Sequence, residues 1–74
     1  MDKIVVIELP EELQADALLS VWRGQEIVEQ RHVYAGTFQV EMKLRGEGNM
    51  TFTVVLDDKM DQAWTIDVDF SAET

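Results

Sequence analysis

Two aspartates near the C-terminus, Asp67 and Asp69, have a spacing that suggests chemistry. Side chains two residues apart in a strand project from the same face, so both carboxylates would stand together. Glu41 would join them if its strand were a neighbour in the sheet. Paired carboxylates perform acid–base catalysis when an apolar pocket desolvates one of them and raises its pKa. The sequence predicts no such pocket, so the pattern favours a negatively charged surface that contacts Lys and Arg of a partner.

A second acidic group, Asp57, Asp58 and Asp61, forms the pattern D-D-x-x-D. In prenyl and terpene synthases this pattern binds magnesium, because hard cations prefer carboxylate oxygens. Those enzymes place the pattern on long helices around a deep cavity, whereas here it lies between two predicted strands, where Asp commonly stabilises turns. We therefore predict no metal and no cofactor, with a weak divalent-cation site as the alternative, and assign the three carboxylates to partner contact.

The other reactive side chains do not form a catalytic set. His32 is the single histidine, and the chain has no cysteine. A nucleophile needs an adjacent base and an orienting group, and no motif indicates them. The chain is therefore predicted not to be an enzyme. Trp22 lies one residue beyond an apolar stripe and is predicted to be an exposed partner contact, because aromatic side chains often anchor interfaces.

The charge balance indicates which partners are compatible with this chain. Fifteen acidic and six basic side chains give a net charge of −9. Such a chain should repel the phosphates of nucleic acids and anionic membrane surfaces, so we predict no direct binding to either. A basic surface on a larger protein is the natural complement, and acidity that serves solubility alone is the competing interpretation. No signal-peptide pattern and no membrane-spanning run is visible, which predicts a cytoplasmic protein.

Alternating apolar and polar residues predict the strands that position these groups. Three C-terminal segments, 37–45, 50–57 and 63–71, place an apolar residue at every second position, as strands buried on one face do. A run rich in β-branched residues, 3–9, predicts a first strand with apolar groups on both faces. The segment 26–34 is ambiguous between strand and helix, and we favour a strand.

The segment 10–23 predicts an amphipathic helix. Pro10 suits the first helical position, Gly24 suits the C-terminal cap, and apolar residues recur between them at spacings of three and four. The predicted fold is a single α+β domain, 1–74, with one N-terminal strand and this helix packed on an antiparallel β-meander. The alternative is a longer helix, 10–32, wrapped by a four-stranded antiparallel sheet.

One short segment resembles a known family. Residues 32–37, His-Val-Tyr-Ala-Gly-Thr, are similar to the first hairpin loop of cystatin-type protease inhibitors. The second, Pro-Trp hairpin of that family is absent, because Pro10 is the single proline of the chain. The resemblance therefore implies no inhibitory role and no site residue here.

These observations predict a small acidic protein-binding module that binds a basic, for example nucleic-acid-binding, surface of a larger partner and could inhibit it. Phage anti-host inhibitors, immunity proteins and DNA mimics share these physical properties. The alternative is a structural homo-oligomer, a homodimer included, or an accessory subunit of a larger complex. A chain of 74 residues has a small core, so association with a second copy or another protein would add stability.

Overall fold

The computed structural model describes residues 1–57 and 62–71. Within these residues the chain is nearly all β, with six antiparallel strands in two sheets and no helix, so the predicted α+β class is wrong. The strands are β1 (Asp2–Glu8), β2 (Ala17–Arg23), β3 (Glu26–Val33), β4 (Gln39–Arg45), β5 (Asn49–Leu56) and β6 (Trp64–Asp69). A two-stranded sheet pairs β1 with β4, and a four-stranded sheet has the order β3-β2-β5-β6.

The predicted helix over 10–23 is wrong, and so is the alternative helix over 10–32. Residues 10–16 are irregular, and the next seven residues form β2. Both faces of β2 are covered, since the three consecutive residues from Leu19 to Val21 are 0% exposed. A strand covered on both faces carries a nearly continuous apolar run, and some members of that run fall at helical spacing. Periodicity alone does not separate such a strand from a buried helix.

Gly24 ends a strand rather than a helix. It begins the two-residue turn between β2 and β3, where Arg23 pairs directly with Glu26. Its φ of 63° lies in the left-handed region that tight hairpin turns require, and glycine adopts that region without a Cβ penalty. The same conformational freedom makes glycine a common residue after a helix, which is why the residue type alone suggested a cap.

The predicted meander is also wrong, although strands β3 to β6 lie close to the predicted segments. The link at 34–38 carries the chain from the four-stranded sheet to the two-stranded sheet, and the link at 46–48 carries it back. Two hydrogen bonds between Gly46 and Met1 hold the second link, which we call the corner, in place. The Gly46 N–H donates to the Met1 carbonyl (3.0 Å), and the Gly46 carbonyl accepts from the Met1 amino group (3.1 Å). Short glycine-containing links look alike in sequence whether they reverse a strand within one sheet or cross between two sheets.

The inward side chains of both sheets form one hydrophobic core. Met42 from the two-stranded sheet and Phe52 from the four-stranded sheet are both almost fully buried, and the Phe52 ring meets Phe70 edge to face at 6.1 Å between centroids. A side chain also connects the edges of the sheets. The Arg31 Nη1 donates to the Glu41 carbonyl (2.6 Å), which ties β3 to β4.

Candidate functional site

An open cleft of about 520 Å³ lies between the irregular segment 10–16 and the end of β5. Carboxylates and apolar side chains line most of it, and no Lys or Arg is among its described lining residues. We call it the acidic cleft, and its lining residues are Pro10, Glu11, Glu12, Leu13, Gln14, Ala15, Asp16, Ala17, Leu56, Asp57 and Gln62. Such a lining, with apolar side chains and four carboxylates, suits a ligand that is cationic at one end and apolar along its length.

Hydrogen bonds hold the irregular wall of the cleft in place. The Leu13 N–H donates to the Thr37 carbonyl (2.9 Å), and the Leu13 carbonyl accepts from the Gly36 N–H (2.8 Å). The Asp16 Oδ1 accepts from the Ala35 N–H (2.9 Å). Leu13 is half-buried and packs against the core. The wall is therefore anchored at two points to the link between β3 and β4, although it contains no helix or strand.

Asp57 lies on the opposite side of the cleft, where it is hydrogen-bonded to the backbone of β2. Its N–H donates to the Leu18 carbonyl (2.8 Å), and its Oδ1 accepts from the Leu18 N–H (2.9 Å). Its φ of 52° is the one left-handed value among the described residues other than glycine. The short Asp side chain tolerates that region better than most, because it bonds locally to backbone. Asp58 and Asp61 lie outside the described residues. No group of three His or acidic side chains in 1–57 and 62–71 could hold a metal ion.

Asp67 and Asp69 form a second acidic surface, on the outward face of β6. Both are exposed, whereas Val68 between them is buried. The Asp67 Oδ1 accepts from the Thr51 hydroxyl across the strand pair (2.7 Å), and the Asp69 Oδ1 accepts from the Ser71 hydroxyl (2.6 Å). These bonds orient the two carboxylates on one face, as the alternating pattern predicted.

Glu41 does not join this pair. It lies on β4 of the other sheet, where its direct neighbour is Val6, and β4 makes no ladder with β6. Trp22 is half-buried rather than exposed. Its neighbours on the adjacent strands are Ile27 and Thr53, and its indole Nε1 is buried without a hydrogen-bond partner in the described part of the chain.

His32 lies on the surface beside an aromatic ring. It is exposed, and its ring lies 5.4 Å from that of Tyr34. The nearby hydroxyl of Ser20 is fully buried and accepts from the Gln30 amide (3.1 Å), so solvent and substrate do not reach it.

Sequence reasoning missed three residues of the acidic cleft: Glu11, Glu12 and Asp16. All three lie within 10–23, the segment for which the sequence predicts a helix. A usable signal was present, because the segment from Glu8 to Asp16 contains four acidic residues and no basic one. An acidic run around a proline favours an irregular, charged wall over a regular element.

Neither protein-family models, nor curated proteins, nor solved structures give a match to this chain. None of the described residues forms a helix that is long and apolar enough to cross a membrane.

Proposed function

We propose that this protein is an acidic binding module that takes a Lys or Arg side chain of a larger protein into the acidic cleft. The observation that carries this proposal is the lining of the cleft, which combines apolar side chains with four carboxylates and has no compensating cation among the described residues. The carboxylates are those of Glu11, Glu12, Asp16 and Asp57. Carboxylates in that arrangement attract guanidinium and ammonium groups and form charge-assisted hydrogen bonds with them.

The apolar side chains of the cleft explain why a side chain fits better than a free metal ion. Lys and Arg bury their methylene stems along apolar surface while the charged head stays among polar groups. Leu13, Ala17 and Leu56 are apolar residues that line the same cleft as the carboxylates. The volume of about 520 Å³ falls within the roughly 300–1,000 Å³ range of ligand sites, so it accommodates one long side chain and part of its neighbour.

The remaining charge of the molecule supports encounter with the same partner. A net charge of −9 speeds association with a basic surface, and this effect weakens with added salt. Asp67 and Asp69 add an oriented negative patch on β6. If the basic surface of the partner binds nucleic acid, this protein would compete with DNA for it, and inhibition would follow from occupancy.

Binding of a defined cationic peptide tests the proposal. The probe is a fluorescein-labelled arginine-rich decapeptide, measured by fluorescence anisotropy at low and at physiological salt. Replacing Glu11 and Glu12 by glutamine removes two carboxylates from the cleft at constant shape. Since exposed charge pairs contribute about 0.2–1 kcal/mol each, we expect binding about fivefold weaker in the double variant.

A matched control separates the cleft from total charge. The double variant Glu26→Gln with Glu47→Gln removes the same charge from exposed positions away from the cleft. Its affinity should stay within about twofold of the unaltered protein, since charges beyond a Debye length of about 8 Å are screened at physiological salt. Equal losses in both double variants, or no binding even at low salt, would contradict the proposed site.

Amide chemical shifts provide a second readout of location. Bound peptide should shift the amide resonances of Leu13, Ala17 and Leu56 more than those of β1. The variant Asp57→Asn keeps an oxygen acceptor for the Leu18 N–H and removes the charge, so it should fold and bind more weakly. Shifts confined to β6 would assign recognition to Asp67 and Asp69 instead of the cleft.

A further inference from the structure

The outward face of the two-stranded sheet exposes two aliphatic side chains at its centre. Ile4 is 61% exposed and Val6 is 52% exposed, while Ile7 on the inward side of the same strand is 1% exposed. We call this surface the β1–β4 face. Its outward residues are Asp2, Ile4, Val6 and Glu8 on β1, and Gln39, Glu41, Lys43 and Arg45 on β4.

Charge on this face is nearly balanced, unlike the charge of the whole chain. It carries three acidic and two basic side chains, so its net charge is −1, whereas the net charge of the whole chain is −9. At one end Asp2 and Arg45 are already paired, with 2.9 Å between Oδ1 and Nε. Two copies of a strongly acidic protein repel each other over most of their surfaces, and this face is a place where the repulsion is small.

The register of the two strands makes the centre of the face complementary to itself. Ile4 lies opposite Lys43, and Val6 lies opposite Glu41 on the next rung of the same face. A twofold axis that crosses the strands between these two rungs would place each Ile4 on Val6 of the second copy. The same axis would place each Lys43 on Glu41 of the second copy. A twofold interface repeats each contact, so two apolar and two ionic contacts would form.

We propose that the β1–β4 face binds the same face of a second copy of this chain. The proposal does not depend on the acidic cleft, which is built from other segments. The face is small: strands of seven residues span about 24 Å at roughly 3.4 Å per residue, and two strands are about 10 Å wide. An interface well below the size of about 800 Å² per partner forms a weak dimer, with a dissociation constant on the order of 100 µM or above.

Charge reversal on the full-length chain tests the pairing. In Glu41→Lys the face carries two central cations, and in Lys43→Glu it carries two central anions, so each variant alone should be monomeric. An equimolar mixture should form a heterodimer, because the two central cations of the first variant would then meet the two central anions of the second. The double exchange, Glu41→Lys with Lys43→Glu, should restore the homodimer.

The mixture contains its own charge control. The two variants have net charges of −7 and −11, so the mixed pair has the same total charge as two unaltered chains. Glu47→Lys is a second control, since it reaches −7 at an exposed turn position outside the face and should dimerise at least as well as the unaltered protein. Circular dichroism melting checks that every variant is folded.

Sedimentation velocity at protein concentrations from about 20 µM to about 2 mM measures the fractions of monomer and dimer. A dimer with a dissociation constant on the order of 100 µM becomes populated across this range. The expected result is dimer for the unaltered chain, monomer for each single reversal and dimer for the mixture. An unaltered chain that stays monomeric throughout would overturn the proposal. A dimer that neither reversal weakens would also overturn it, by placing the interface elsewhere. Peptide binding in the acidic cleft should be the same in all of these variants, so either proposal can fail without the other.

Discussion

The two sheets differ in how many of their faces are covered. In the four-stranded sheet the interior strand β2 is covered on both sides, and its Ser20 and the opposite Val55 of β5 are 0% and 1% exposed although they face away from the shared core. In the two-stranded sheet, β4 alternates strictly between buried and exposed residues, and β1 exposes Ile4 and Val6. Stability is therefore concentrated in the first sheet, and surface for recognition is available on the second.

This difference has a simple physical origin. Burial contributes roughly 25 cal/mol per Å² of apolar surface, so a strand covered on both faces contributes more per residue than one covered on a single face. A sheet of two strands has no interior strand, and one of its faces must meet solvent or another molecule. The contrast predicts that equal substitutions will have unequal effects in the two regions.

The largest expected effect is the difference in unfolding free energy between two Phe→Ala variants, one at a buried and one at an exposed position. Phe52→Ala in the four-stranded sheet removes a ring that is 1% exposed, and the cost should be about 3–5 kcal/mol in the free energy of unfolding. Phe38→Ala, beside the start of β4, removes a ring that is 62% exposed and should cost less than about 0.5 kcal/mol. Urea denaturation followed by circular dichroism measures both. Similar losses for the two variants would contradict the expected difference between the buried core of the four-stranded sheet and the exposed entry to β4.

A smaller effect is expected at the corner that joins the sheets. A Cβ on Gly46 would collide with the Met50 sulfur and lie 2.7 Å from the Phe70 Cε2, so Gly46→Ala should cost about 1–3 kcal/mol. Gly48 has a φ of 60° but open space around it, and Asn tolerates that backbone region, so Gly48→Asn should cost less than about 1 kcal/mol. Thermal melts of both variants give the comparison. A Gly46→Ala variant as stable as the unaltered chain would show that the corner can relax.

The smallest effect is expected at the exposed end of the two-stranded sheet. The hydrogen bond from Arg45 holds the pKa of Asp2 below its ordinary value. A carboxyl whose pKa is lower in the folded state stabilises that state above its unfolded pKa, and the contribution is lost as pH falls through the folded pKa. Arg45→Gln should therefore raise the pKa of Asp2 towards its ordinary value. The unaltered chain should be more stable than the variant at neutral pH, and this difference should disappear as pH falls through the folded pKa of Asp2. A carboxyl NMR titration measures the pKa change, and Arg31→Gln is the control that should leave Asp2 unchanged.

Most strands could be predicted from the sequence, and the segment before and within β2 could not. Residues 37–45, 50–57 and 63–71 alternate because one face of each strand carries polar side chains, and that pattern has a single interpretation. β2 has no solvent-exposed face, so its run of apolar residues fits the apolar stripe of a helix as well as a buried strand. The helix predicted over 10–23 includes Glu11 and Glu12, so the acidic cleft that they line could not be foreseen.

Local chemistry by itself determined the period of the later strands, the break in regular structure at Gly24, and the excess of negative charge. Tertiary structure alone decided which strands pair, because pairing depends on long-range contacts between residues such as Gly46 and Met1 that no local pattern records. It also decided that Glu41 lies apart from Asp67, and that an acidic run becomes the wall of a cleft. Side-chain period is a property of each strand, whereas the placement of charges on a common surface is a property of how the sheets pack.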